Sequence, residues 1–410
     1  MKIALLSRWY WEENRRMGTA SGGTAQQLAE AVAELGHEVV VLSQSPQAGP
    51  LEKSRLGALE VWLSPREKKR DFVTGLRDKW AKQFYPHRKV YSDALALRDF
   101  LSKRGPFDVL WAQGEEPDGL VAALAARMGV TLPPTLTQIY ALRYRFVGGE
   151  PIFNRKPALR AAFEQATRII AASDLVARNL ANYAGRQLTA AQWHEKTCVV
   201  PHNLQREFLE AATAPVPPSE PGRVLFFGAL NEKKGALVFL EALGLTYASK
   251  NGAIFALTGG FTEDNPDFAR RWNSAVETVR GKLAPAQLEL LGQIPSVEAI
   301  RQIQRASVVV LPSLFDEFSR ALVETLVLGR PVITTSRVGA APLVEAHECG
   351  LVVAPNDPAA LARAIDTALN PNAVYAANAR QLAPRLRHEF SPTAIARQMA
   401  HHFSEIVAGI

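Results

Sequence analysis

Cysteine is nearly absent. Only Cys198 and Cys349 occur in 410 residues, far apart and outside any Cys-x-x-Cys pair. That excludes a disulfide-stapled framework and argues against a zinc site, so both are expected to be buried, inert thiols. Long apolar runs are missing as well, and none reaches the roughly 18 residues that span a bilayer. The opening MKIALLS soon meets Arg8, Glu12, Glu13, Arg15 and Arg16, unlike a secretory leader. The protein is therefore expected in the cytoplasm. The first strand-and-helix unit also lacks Gly-x-Gly-x-x-Gly, which removes the usual signature of a dinucleotide-binding turn.

What is present is a chain long and apolar enough for two packed units. At 410 residues and 47% apolar content, two domains are the default. A net charge of +7 and a pI near 9.4 call for an acidic partner. Phosphorylated substrates, anionic lipid and nucleic acid all qualify on charge alone.

The most informative stretch is 307–335, SVVVLPSLFDEFSRALVETLVLGRPVITT. Val308, Val309, Val310 and Leu311 form a continuous apolar run, as in a parallel strand covered on both faces. Ala321, Leu322, Thr325, Leu326 and Leu328 recur at helical spacing before Gly329 and Pro331 stop the helix. Residues 332–335 then repeat the strand pattern. A βαβ unit follows, with the helix starting near Ser319 as N-cap.

A helix start carries unpaired N–H groups and positive potential, which suit phosphate. Asp316 lies just before this helix and Glu324 about a turn and a half inside it. Both are expected at the crevice beyond the strand's carboxyl end, the usual ligand site of open α/β sheets. Phosphate on the amides with carboxylates to accept hydroxyls describes a sugar-nucleotide site. Taken alone, the two acids are better explained by stabilisation of the helix dipole.

The run Asp316-x7-Glu324 with Leu326, Gly329, Arg330, Pro331 and Val332 resembles the paired-acid motif of retaining glycosyltransferases of family 4. That resemblance implies α/β architecture of the GT-B type, two Rossmann-like doubly wound domains facing across a cleft. It implies a hexosyltransferase using a UDP- or GDP-linked sugar, with no cofactor and no metal; no Asp-x-Asp occurs in the chain. Carried over by position, Asp316 would bind donor-sugar hydroxyls, amides of Phe318, Ser319, Arg320 and Ala321 the diphosphate, and Glu324 the ribose. Lys234, in Asn231-Glu232-Lys233-Lys234-Gly235, matches the family's diphosphate lysine, while Ala229 stands where an arginine is usual. Arg320 is the expected substitute cation. Backbone at Gln293 and Ile294 matches the nucleobase position, and Gly22-Gly23 the phosphate border in the first domain. Asp316 replaces a usual Glu, and Ser319 and Arg320 stand where Gly and Leu are commoner. Lys234, Asp316 and Glu324 are the expected catalytic set.

On the acceptor side the family often has a His at the end of a strand where this chain has Gln138, which can hydrogen-bond a hydroxyl but takes no proton. Arg143 follows within expected reach. The resemblance implies domains at 1–208 and 223–388, a Pro-rich linker at 209–222 and a final helix, 389–410, crossing back. The segment 62–91 sets nine Lys and Arg against three acids, interleaved with aromatics. It reads equally as a docking surface for anionic membrane on the inner face and as a solvated charged face. Nucleic acid is not expected, since no motif for it accompanies the patch. A glycan or lipid-linked acceptor fits a role in surface polysaccharide or glycolipid synthesis. Two alternatives stand beside this: a non-catalytic sugar-nucleotide-binding partner subunit, and an epimerase of the same fold.

Overall fold

The computed structural model describes residues 1–7, 22–44, 52–56, 59–64, 90–114, 118–140, 142, 144–147, 150–153, 157–184, 189–261 and 266–409. Residues 8–21, Arg143 and residues 65–89 of the basic segment lie outside the described residues. The chain divides into two compact units: Met1–Tyr144 with Phe153–Asn203 and Pro392–Ile410, and Arg145–Ile152 with Leu204–Ser391.

In the first unit, β1 (Lys2–Leu6), β2 (Glu38–Gln44), β3 (Glu52–Leu56), β4 (Leu59–Ser64), β5 (Val109–Gln113) and β6 (Thr135–Ile139) come before a short pair, β7 (Tyr144–Val147) and β8 (Glu150–Phe153). β9 (Arg168–Ala171) and β10 (Thr197–Val199) follow. The sheet runs β10-β9-β6-β5-β1-β2-β4-β3, parallel throughout except for β3 against β4. Its central strands are mostly apolar and almost wholly buried because both faces are covered. Ala4, Leu6 and Leu110 face one core, and Ile3, Leu5, Val109 and Trp111 face the other.

The last helix, Pro392–Ala408, belongs to this unit. Ile395, Met399, Phe403 and Ile406 repeat at helical spacing and are buried in the second of those cores, Phe403 lying 5.5 Å from Trp111. Arg168 Nη1 reaches Glu405 at 2.6 Å, and Glu405 also meets His402 Nδ1 at 2.9 Å. This cluster corrects the expectation for Cys198. Its thiol is only partly buried, and a hydrogen bond with His402, aided by Arg168 3.6 Å away, holds it below the usual range. Cys349 is buried as expected, and burial pushes its thiol up to about 11.

The second unit is built on β11 (Arg223–Phe227), β12 (Ile254–Thr258), β13 (Leu288–Gly292), β14 (Val308–Leu311), β15 (Val332–Thr335) and β16 (Gly350–Val353). All six are parallel in the order β13-β12-β11-β14-β15-β16, which is the 3-2-1-4-5-6 order of the dinucleotide-binding doubly wound fold. The order reverses between β11 and β14. The Pro-rich residues before β11 are held to this unit by Arg330, a fully buried guanidinium that donates to the carbonyls of Pro217 and Gln304. Among the described residues no helix is long and apolar enough to cross a membrane.

Candidate active site

The carboxyl ends of β11 and β14 define the crevice of the second unit, and two loops meet there. Gly235, at φ 70°, closes the loop after β11 and starts helix Ala236–Leu243. A Cβ there would lie 2.0 Å from the Pro312 carbonyl oxygen, so only glycine lets the two loops touch. Leu314 N donates to Lys233 O at 2.8 Å, and Lys234 N donates to Asn231 Oδ1 at 2.8 Å. The lysines are thus fixed by their backbone before any side-chain contact.

Two ion pairs join the loops. Lys234 Nζ lies 2.5 Å from Asp316 Oδ2, and Lys233 Nζ lies 3.1 Å from Glu317 Oε2. Asp316 and Glu317 are buried, whereas both lysine side chains keep 30% exposure. Burial alone would raise the Asp316 pKa. The charge and hydrogen bond of Lys234, the charge of Lys233 and the Phe318 amide overcome it and hold the carboxyl below its usual range. The sequence assigned Lys234 to the diphosphate and Asp316 to the sugar without pairing them, and Lys233 and Glu317 went unassigned. Their signal was a Lys-Lys doublet facing an Asp-Glu doublet.

Asp316 also organises the start of helix Arg320–Val327. Its Oδ1 accepts from Ser319 N at 3.1 Å and from Phe318 N at 3.4 Å. Ser319 does occupy the N-cap position, but its hydroxyl makes no capping bond and its backbone is left-handed at φ 69°, ψ 81°. The expected cap is therefore supplied by a different residue. The amides of Phe318 and Ser319, expected to hold diphosphate, already donate to Asp316. Phe318 itself is buried against Phe390, with ring centroids 5.9 Å apart, and is a packing residue. The loop after β15 fixes the backbone: Asp316 N donates to Arg337 O at 3.0 Å, and Gly339 N to Asp316 O at 2.9 Å.

Glu324 is 4% exposed, and among the described residues no side chain or amide donates a hydrogen bond to its carboxylate. Burial pushes its carboxyl up to about 7 despite the nearby charge of Arg320. Arg320 and Ala321 are half-buried first-turn residues. At the far side of β12, Gln293 and Ile294 follow β13, and a Cβ on Gly260 would lie 2.8 Å from Gln293 Oε1. Among the described residues no group of three or more His, Cys, Asp and Glu has metal-holding geometry.

In the first unit the order reverses between β1 and β5. Gly22 and Gly23 are the first two residues of helix Gly22–Glu34 in that unit. Gln138 is buried, and its amide oxygen accepts from Trp111 Nε1 at 3.1 Å and from Tyr140 Oη at 3.2 Å. Beside it in register stands Gln113, which the sequence reading passed over. Both side-chain amide atoms of Gln113 are buried without a hydrogen-bond partner among the described residues. Ser7, just past β1 with its N donating to Leu42 O, and Ser43 on β2 continue the row, so four buried polar residues lie at the ends of four adjacent strands.

Residues 20–201 match a family model described as "Glycosyl transferase 4-like domain", and residues 221–371 match one described as "Glycosyl transferases group 1". Glycogen synthase of Mycobacterium tuberculosis is 25% identical over 184 residues, 45% of this chain and 42% of that protein. The match thus spans less than half of that relative. The putative colanic acid biosynthesis glycosyltransferase WcaL of Escherichia coli is 25% identical over 299 residues, 69% of this chain and 67% of WcaL. The solved structure of sucrose-phosphate synthase from Thermosynechococcus elongatus superposes with TM-score 0.74 at 19% identity, covering 100% of both chains, a likeness of fold. The fold is therefore of the GT-B type, and each half of the chain is similar to a glycosyltransferase domain.

Proposed function

We propose that the protein is a retaining glycosyltransferase of family 4 that moves a sugar from a nucleotide-diphosphate sugar to an acceptor hydroxyl. The observation that carries this is the pair of Lys-carboxylate bridges at the order reversal of the second sheet, beside a helix start. Lys234 and Lys233, partly exposed above buried acids, would meet the diphosphate. Charge that develops on the leaving phosphate is stabilised best by cations already in place. With Phe318 and Ser319 amides engaged by Asp316, the first-turn amides of Arg320 and Ala321 are the ones to meet phosphate. Asp316 would accept donor-sugar hydroxyls and Glu324 those of the ribose.

Retention requires no side-chain base if the departing phosphate oxygen takes the acceptor's proton. A neutral Gln138 suits that arrangement. The first unit would hold the acceptor, a surface glycan or lipid-linked saccharide on the cytoplasmic side. WcaL, named for colanic acid synthesis, supports that acceptor class. Residues 62–91 would supply the membrane contact.

A thermal-shift screen with UDP, GDP, ADP and their sugar conjugates, without added metal, tests the donor site. Transfer to a synthetic lipid-linked saccharide, with the product anomer read by NMR, tests the reaction. A shift with one nucleotide and retained anomeric configuration is the expected result. No shift with any nucleotide would overturn the reading, and a shift without turnover would favour a binding-only partner.

A further inference from the structure

The rim of the second sheet carries an aromatic ring with no part in the function argued above. After β12 the chain runs through Gly259 and Gly260 to Phe261. Gly228 N donates to Thr258 O at 3.1 Å, Leu230 N to Gly260 O at 2.9 Å and Gly259 N to Gly292 O at 2.9 Å. An isolated parallel bridge pairs Phe261 with Leu230. A Cβ on Gly259 would sit 1.8 Å from the Gly228 carbonyl oxygen, so this approach depends on glycine. The backbone of Phe261 is thereby fixed at the sheet's carboxyl edge. On one side lies the loop that leads to Lys233 and Lys234; on the other, Gly260 packs against the Gln293 side chain.

The ring is 54% exposed, although burial of a Phe side chain is ordinarily favourable. It is also braced. Trp272 meets it at 5.9 Å and 87°, and Phe268 at 6.1 Å and 72°, both from the buried face of helix Pro266–Arg280. Edge-to-face contacts of this kind orient a ring without covering it. A planar, open and immobilised aromatic at a ligand-binding edge has the properties of a stacking platform.

We propose that Phe261 stacks on the nucleobase of the donor's nucleoside diphosphate, with Gln293 beside it at the base's hydrogen-bonding edge. This rests on the glycosyltransferase reading and adds to it the residue that grips the base. The strand order β13-β12-β11-β14 then sets Gln293, Phe261, Lys234 and Asp316 in one line along the edge. Base, diphosphate and sugar would follow the same line. Stacking is tolerant of base identity, because every base has a π-face, so Phe261 would provide affinity and Gln293 selectivity.

Isothermal titration of UDP, GDP, ADP and inorganic pyrophosphate tests this on wild type, Phe261→Ala, Phe261→Leu and Phe261→Tyr. Loss of one base-stacking ring is expected to weaken the preferred nucleoside diphosphate roughly 10- to 100-fold in the Ala and Leu variants. Tyr should stay near wild type, and pyrophosphate should bind all four equally. Leu keeps the apolar bulk, so a fold defect in Ala alone is recognised by its melting curve. Tight wild-type nucleotide binding that Phe261→Leu leaves within twofold would overturn the stacking role while the functional reading stands. Wild type that binds no nucleotide would overturn both.

Discussion

The two sheets reverse their strand order once each, and the chemistry at the two reversals is different in kind. Between β11 and β14 the second unit gathers Lys233, Lys234, Asp316 and Glu317 into two ion pairs, with Glu324 buried on the following helix. Between β1 and β5 the described side chains at the strand ends are uncharged, Ser7 and Gln113, with Ser43 and Gln138 on the neighbouring strands. Buried charge must be matched by a partner, so a charged site constrains residues on several elements together. A row of Ser and Gln constrains little that a reader of sequence would notice. If this contrast is right, substitutions at the charged reversal should cost stability and activity together. At the uncharged one they should separate the two.

The largest effect is expected from Lys234→Ala. Asp316 would keep its charge in a buried site without its nearest cation, which should cost about 3 kcal/mol of unfolding free energy in urea titration. Transfer should fall by about 100-fold or more, as when one charge-stabilising donor is removed. Adding Asp316→Asn to Lys234→Ala should recover most of the stability and none of the activity. Recovery of both would show that the bridge is scaffold alone.

Glu324 gives the next effect, and it has a definite sign. Burial disfavours the carboxylate and pushes its pKa up to about 7, above the ordinary 4.5. The protonated form is favoured by folding, so the contribution is fully present below about 4.5. It is lost as pH rises through 7. Over that window the ligand-free protein should lose about 3 kcal/mol from this group. Glu324→Gln should flatten the profile, as measured by denaturant midpoints between pH 4.5 and 8. Saturating donor, if ribose hydroxyls donate to Glu324, should flatten it in wild type too. An identical slope in Glu324→Gln would reject the assignment.

At the uncharged reversal the sign is opposite. Gln113→Leu removes two buried polar atoms that have no partner among the described residues and extends the apolar row of Leu5 and Trp111. The melting temperature should rise, by the equivalent of about 1 kcal/mol, while acceptor KM should worsen if the amide meets acceptor hydroxyls. A fall in melting temperature would mean that Gln113 serves the fold.

Local patterns made much of this visible from sequence. The run from Val308 to Thr335 shows strand, helix and strand through periodicity and its Gly-x-Pro stop, because those signals lie within one or two turns of chain. The adjacency of β11 and β14 is carried by no local signal, and with it the match of Lys233 to Glu317 stays hidden. Cys198 misled for the same reason, since the helix bearing His402 and Glu405 comes some two hundred residues later. Ser319 misled in another way. Its side-chain chemistry suits a cap, but backbone geometry decided which residue would do the capping.

Ser319 therefore offers the smallest test and the cleanest. A non-glycine residue at φ 69°, ψ 81° carries strain of about 1 kcal/mol. Here the strain is held by the hydrogen bonds from Phe318 N and Ser319 N to Asp316 Oδ1, which curl the chain into the helix. Glycine adopts that conformation freely but loses more entropy on folding, by roughly 0.5 kcal/mol. Ser319→Gly should then stabilise by a net of about 0.5 kcal/mol, read as a higher urea midpoint at unchanged slope. Ser319→Ala keeps the strain and removes only a hydroxyl that caps nothing, so it should lie within about 0.5 kcal/mol of wild type. If Ser319→Gly instead lowered the midpoint, the hydroxyl would have to be holding the helix start, and the capping role assigned to Asp316 would fall with it.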